Sequence, residues 1–309
     1  MHAVFADPKT DFVFKRIFGA EARKGLLIAL LNDLLEFEGE RRIVDLQHLT
    51  AEQHVDVAEL KLSIVDVKCT DATGRRFVVE MQVLKVEGFE KRVVYNASKA
   101  YVMQLREADE YPALCDVFGV TICNFNLWGE RDDAGRYAVP MLSRWRMQEQ
   151  HSGIRGLPQV QYVFLELPKY DAGDAPRTLV EKWAYFFREA KNLQMVPPPL
   201  AEAPFRDALE VSRRTGFSLE EWEAYDRAKM AEQDARGALS VARQEGRAQG
   251  RAEGVAQGKR DTLLLLLNHR GFALDDTHRA KVAACTDPAQ LERWIAAALT
   301  APSLAAVID

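Results

Sequence analysis

The residues of this chain best placed to do chemistry together are Asp66, Glu80 and Gln82. Glu80 and Gln82 stand two apart in RFVVEMQVL (76–84), which reads as a strand. Side chains alternate along a strand, so both point to one face. The preceding run LKLSIVDVKC (60–69) reads as a second strand. Thr70-Asp71-Ala72-Thr73-Gly74 between them has the turn chemistry that Asp and Gly supply. If the turn pairs Thr70 with Arg76, Asp66 lies opposite Glu80 on that face, and Ile64 lies opposite Gln82. The two carboxylates then stand roughly 5 Å apart at the backbone level. A slip of one residue would send Asp66 to the other face, so everything depends on that register.

Two acids so close do not both stay ionised unless a cation or a proton lies between them. A hard divalent ion such as Mg²⁺, with Mn²⁺ or Ca²⁺ as alternatives, suits oxygen ligands and keeps waters and substrate phosphate oxygens in its shell. Neutralising charge on a phosphate and lowering the pKa of a water are what phosphodiester hydrolysis requires. The amide of Gln82 accepts no proton at neutral pH, so it can orient water or phosphate but is not the base. The same spacing also occurs in ordinary hairpins, with Asp66 an edge charge facing water and Glu80 a surface residue.

Several neighbours admit two roles. Asp11 could bring a third carboxylate to the metal, or satisfy free N–H groups at a helix start. Lys68 shares the face of Asp66 and could lend charge to a phosphate, or end a strand in solvent. Lys91 and Arg92 could contact DNA phosphates, giving salt-dependent, sequence-blind affinity, or pair with Glu87 and Glu90. His48 and His54 precede the hairpin, where histidines more often have no catalytic duty.

The elements that must position these residues are legible as pattern. From 11 to 37 apolar residues recur at helical spacing, with a break near Gly19. Residues 41–49 form a short strand candidate. After the hairpin come a helix over 89–107, a buried strand over 116–127 and a second hairpin near 129–135. A strand over 160–167 and a helix over 178–191 follow. This is a mixed α/β sheet backed by helices. Pro197, Pro198 and Pro199 cannot continue a helix and make a stiff spacer. The expected division is a 1–194 domain, a 195–240 linker with connecting helices, and a helical 241–309 unit. In the last of these Gly246, Gly250, Gly254 and Gly258 fall every fourth residue. On a helix they form a slowly winding stripe, weak unless something approaches it closely.

The run KLSIVDVKCTDATGRRFVVEMQ (61–82) resembles the core of the recombination-promoting nuclease family, the transposase-like branch of the PD-(D/E)XK nucleases. Asp66-Val67, Asp71, Gly74 and Glu80-Met81-Gln82 carry the likeness. So do 11–15 with Phe18-Gly19 upstream, and Arg92, Tyr95, Ser98 and Gln104 downstream. Phe164-Leu165-Glu166-Leu167-Pro168-Lys169 and the glycine-every-four segment extend it over nearly the whole chain. The resemblance implies a PD-(D/E)XK restriction-endonuclease-like sheet, with Asp66 and Glu80 as metal ligands and Gln82 in the place of the usual lysine. One departure is the acidic stretch 107–111, where the family often has a glycine before the tyrosine.

Composition sets the outer bounds. The net charge of −5 means that any nucleic-acid surface must be a local basic face. The four cysteines have no CxxC spacing, which argues against zinc and fits a reducing cytoplasm. No apolar run is long enough for a membrane helix, and no secretory signal opens the sequence. Three functional classes follow: a Mg²⁺-dependent DNA endonuclease promoting recombination or transposon-like movement, a DNA binder of nuclease descent that cuts weakly or not at all, and an interaction module. A homo-oligomer joined along the glycine helix would hold two active sites at fixed separation.

Overall fold

The computed structural model describes residues 3–53, 63–106 and 108–308. His54, residues 60–62 of the expected first strand, and Glu107 lie outside the described residues. Contacts divide the chain into two compact units, 1–232 and 233–309.

The first unit opens with α1 (Asp11–Phe18) and α2 (Lys24–Leu35), separated at Gly19 as the pattern requires. Strands β1 (Leu46–Leu49), β2 (Glu52–Gln53), β3 (Ser63–Ile64), β4 (Val67–Asp71) and β5 (Arg76–Gln82) follow. Next come α3 (Phe89–Val102), β6 (Val117–Cys123), β7 (Leu142–Trp145), β8 (Val160–Glu166), α4 (Leu179–Glu189) and α5 (Phe205–Val211). Six strands form one mixed sheet in the order β1-β4-β5-β6-β8-β7. β5, β6 and β8 run parallel, and the flanking strands are antiparallel.

Helices cover both faces, which is why the central strands are apolar almost throughout. Phe77, Val79, Phe118, Val120 and Leu165 share one core with α1, α2 and α4, where Phe14, Phe18, Trp183 and Phe187 pack. Val78 and Val117 meet Ala97 and Ala100 of α3 on the other face. There α3 comes close to the sheet: a Cβ at Gly119 would lie 3.3 Å from the Tyr162 ring and 3.7 Å from Ala97. Closer approach on this face sets the height of α3 above β4 and β5.

The β4–β5 hairpin has the expected register, with Thr70 opposite Arg76 and Val67 opposite Val79. Asp71 builds its turn, accepting from Thr73 N at 3.0 Å, Arg75 N at 3.0 Å and Arg75 Nε at 2.6 Å. Gly74 takes φ +84°, a left-handed conformation that side chains rarely adopt. The first strand differs from expectation. It bends at Asp66, and β3 leaves the sheet to pair Ile64 with Glu52 in a separate two-stranded ribbon. Ile64 therefore does not face Gln82. β7 is a further strand that the sequence pattern did not show.

The segment after the three prolines packs inward: Leu200, Phe205 and Leu209 belong to the main core. The helix α6 (Leu219–His269) crosses the boundary between the units. In the second unit its last turns join α7 (Asp276–Ala284), α8 (Pro288–Thr300) and α9 (Ala305–Ile308). Leu263, Leu267, Val282, Leu291, Trp294 and Ile308 form a small core of their own. Among the described residues no helix is long and apolar enough to cross a membrane.

Candidate active site

The bend that removes β3 from the sheet makes the site. In β5, Arg76 turns its N–H toward β6, bonding Asp116 O at 2.8 Å, so by alternation Met81 turns its N–H toward the β4 side. No β4 residue pairs there, because the strand ends at Val67. The Asp66 carboxylate fills the place of a strand carbonyl, with Oδ2 accepting from Met81 N at 2.7 Å. The side chain is thereby fixed to the end of the hairpin next to Glu80. Burial pushes the Asp66 carboxyl up to about 7; the Met81 N–H opposes this, the negative charges of Asp11 and Glu80 add to it, and Lys15 relieves it.

Glu80 lies on the α3 face, only 5% exposed. Asn96 Nδ2 donates to Oε1 at 2.6 Å, and Gln82 Nε2 donates to Oε2 at 3.1 Å. Arg92 Nη2 stands 3.8 Å from Oε2. Burial raises the Glu80 carboxyl above its usual range, against the pull of Asn96, Arg92 and Gln82. Gln82 is itself held at both ends, since its Oε1 accepts from Arg92 Nη2 at 2.6 Å. The amide thus joins the guanidinium to the carboxylate rather than pointing free into solvent. Among the described residues Arg92 pairs with this strand and not with Glu87 or Glu90, and its guanidinium remains partly exposed.

The other expected residues separate. Asp11 is the first residue of α1; it forms no cap bond and pairs with Lys15 at 2.7 Å. Its charge still acts on Asp66. Lys15 and Asp11 border a cleft of about 510 Å³ that also carries Arg16, Arg23 and Arg227, with Glu221 paired to Arg16. Lys68 is buried, 5% exposed, and feels the positive charges of Arg76 and Lys99. Burial first, then those two cations, lower its pKa. Lys91 is exposed on α3. His48 ties β1 to the opening helix, with Nδ1 to Glu21 Oε2 and Nε2 to Phe18 O, each at 2.9 Å.

Sequence reasoning missed Asn96. Its side chain is 2% exposed, and its Oδ1 is buried with no hydrogen-bond partner among the described residues. It also gave no role to Glu166 and Lys169. These form a fully buried pair at 2.7 Å at the end of β8. Glu166 Oε2 accepts from Leu127 N at 2.6 Å and Trp128 N at 3.3 Å, while Lys169 Nζ donates to Val139 O at 2.8 Å. Both ends of the loop between β6 and β7 are so fastened beside the row Gln82–Cys123–Glu166.

The family model described as PD-(D/E)XK nuclease family transposase matches residues 8–242. The chain belongs to that family. No curated protein and no solved structure matches it. In this PD-(D/E)XK chain the match ends inside α6, so the cored helices of the second unit lie beyond it.

For a divalent ion, the residues fit in part by themselves. Among the described residues no three His, Cys, Asp or Glu side chains converge on one point. Asp66 and Glu80 offer oxygen donors only, and the unpartnered Asn96 Oδ1 lies next to Glu80. Two carboxylates with waters and phosphate oxygens completing the shell is a common way of holding Mg²⁺.

Proposed function

We propose that this protein is a metal-dependent DNA endonuclease with Asp66, Glu80 and Gln82 at its active site. The observation that carries the reading is Asp66, held on Met81 N–H at the open end of the hairpin with its charge against that of Glu80. Asp66 and Glu80 would hold the ion, Mg²⁺ in the first instance and Mn²⁺ or Ca²⁺ as substitutes, and Asp11 would lend its charge from α1. When bound, the ion supplies charge neutralisation at the scissile phosphate and a lower pKa for the attacking water.

The remaining work belongs to the chain. Asn96 and Gln82 hold the Glu80 carboxylate in one rotamer. Arg92, partly exposed and tethered by Gln82, presents its free edge to a phosphate oxygen, with Lys91 adding charge on the same helix. Gln82 moves no proton; its amide would orient the attacking water or a phosphate oxygen. Lys15, Arg23 and Arg227 along the neighbouring cleft suit backbone phosphates entering beside Asp11. The reaction makes cuts that promote recombination or transposon-like movement. Two chains associated through the glycine stripe of α6 would present two such sites, in a reducing cytoplasm.

The test is nicking of supercoiled plasmid by the purified full chain, with and without Mg²⁺, beside Asp66→Ala and Glu80→Ala. Cutting that needs the ion and is lost in both folded variants is expected. Binding without cutting in Mg²⁺, Mn²⁺ or Ca²⁺ would replace this reading with that of a DNA binder of nuclease descent, for which the acidic net charge and the missing lysine speak.

A further inference from the structure

A second charged cavity lies at the other end of the sheet and on its other face. Its lining includes Arg41, Arg146, Arg155, Asp116 and Gln161, around a volume of about 320 Å³. Asp116 precedes β6, Arg146 follows β7, and Gln161 opens β8, so the cavity sits where the parallel strands begin. Glu80 and Gln82 sit near where they finish. Gln161 is aligned with Phe118, whose ring is in the α2-side core, whereas Glu80 faces α3. The two sites are therefore on opposite faces.

The cavity holds more positive charge than it can neutralise. Arg41, Arg146 and Arg155 make no ion pair and donate no side-chain hydrogen bond among the described residues. The Arg41 guanidinium stacks over the Phe37 ring at 4.6 Å, which holds its plane and leaves its N–H groups at the edge unused among the described residues. The acids nearby have other duties. Glu36 pairs with Arg144 at 2.9 Å and Asp71 with Arg75 at 2.6 Å. Glu149 folds its own turn, accepting from His151 N at 3.1 Å and Ser152 N at 2.6 Å. That leaves Asp116, whose carboxyl is raised by burial even with Arg75 and Arg41 close. Burial and the repulsion of Arg155, Arg41 and Arg144 lower the pKa of Arg146 in turn.

The arginines are also held in place without a ligand. Arg146 and Arg155 lie on opposite arms of the β7–β8 hairpin, whose arms are joined by a Gln148–Arg155 bridge and by Gly156 N to Met147 O at 3.3 Å. Three guanidinium groups converging on one concavity match a multiply charged phosphate group, which accepts several planar, bidentate donors at once. The volume is at the lower end of small-ligand pockets.

We propose that this cavity is a binding site for a di- or triphosphate group, free or as the tail of a nucleotide, separate from the nuclease centre. It stands whether or not the chain cuts DNA. The test is calorimetric titration of the full chain in metal-free, EDTA-containing buffer at fixed ionic strength with inorganic triphosphate, ATP and a short DNA duplex, beside Arg146→Ala/Arg155→Ala. Saturable binding of triphosphate and ATP, weakened at least tenfold in the double variant, is expected. Its unliganded melting temperature should be unchanged or higher, because like charges have been removed. Binding of ATP with none of triphosphate assigns the site to nucleotides; equal binding assigns it to the phosphate group alone. Absence of saturable binding, binding unchanged in the variant, or a loss confined to duplex DNA each overturns the proposal.

Discussion

Asp66 accepts the N–H of Met81 at 2.7 Å, and through this one bond the acid takes over a position in the sheet that its own strand has vacated. The bond explains why the carboxylate is both buried and fixed. Withdrawn from water beside two other acids, it is proton-bound up to about pH 7.

That raised value has a stability consequence with a definite sign. The folded state keeps a proton that the unfolded chain releases near pH 4. The group's contribution to stability is full below that pH and is lost as pH rises through about 7. Asp66→Asn keeps an acceptor for Met81 and removes the charge. In EDTA at pH 8 the variant should unfold at higher denaturant than wild type, by an amount on the order of 4 kcal/mol, at about 1.4 kcal/mol for each pKa unit between about 4 and about 7. At pH 5 the gap should be smaller, and below about pH 4 the two should converge. Mg²⁺ should stabilise the wild type at pH 8 far more than at pH 5, and the variant at neither. Parallel pH profiles for the two proteins would refute this account of Asp66.

Asn96→Leu removes the 2.6 Å donor to Glu80 Oε1 while filling the same buried space. A buried carboxylate that loses its donor costs about 1–3 kcal/mol. Urea unfolding at pH 7 should show that loss, and plasmid cutting should fall with it. Because the loss requires ionised Glu80, the stability difference should shrink toward pH 4. A difference independent of pH would mean that Asn96 only packs.

How much of this was legible beforehand depended on the length of the signal. The hairpin register could be read because the side-chain period is 2 and the Asp71–Gly74 turn admits few alternatives. The bend at Asp66 could not, since Ser63 and Ile64 continue the strand-like pattern and only the pairing of Ile64 with Glu52 shows that the chain has left the sheet. β7 escaped because LSRW is short and half polar. Asn96 is a lone amide on a helix and carries no periodic signal. Glu166 and Lys169 were visible only as part of a family likeness; that they pair needs the loop between β6 and β7, which folds over them.

Arg92→Ala should separate DNA affinity from stability. The side chain is partly exposed, and its ion pair with Glu80 is long at 3.8 Å. Weakened binding with a salt slope shallower by about 1 is expected, with little change in melting. An unchanged slope would remove Arg92 from the DNA contacts.

Lys169→Met breaks the buried pair and leaves Glu166 as an unpaired charge of 0% exposure. Removing one partner of such a pair costs about 3–5 kcal/mol. Adding Glu166→Gln should recover a large part of the loss, since the amide retains an acceptor for Leu127 N. Chemical unfolding of both variants measures this. If the double variant is no more stable than the single one, the pair is not what fastens the loop.

The glycines of α6 give the sharpest separation between local and intermolecular effects. A Cβ at Gly246, Gly250, Gly254 or Gly258 would meet nothing within 4 Å, so within one chain the stripe accommodates alanine freely. Each Gly→Ala change should then strengthen the helix by about 0.5–1 kcal/mol. If two chains lie against each other along the stripe, the same methyl groups stand between the backbones. The quadruple alanine variant should therefore show more helix by circular dichroism and a self-association at least tenfold weaker by sedimentation. Stronger helix with unchanged association would remove the stripe as the contact between chains.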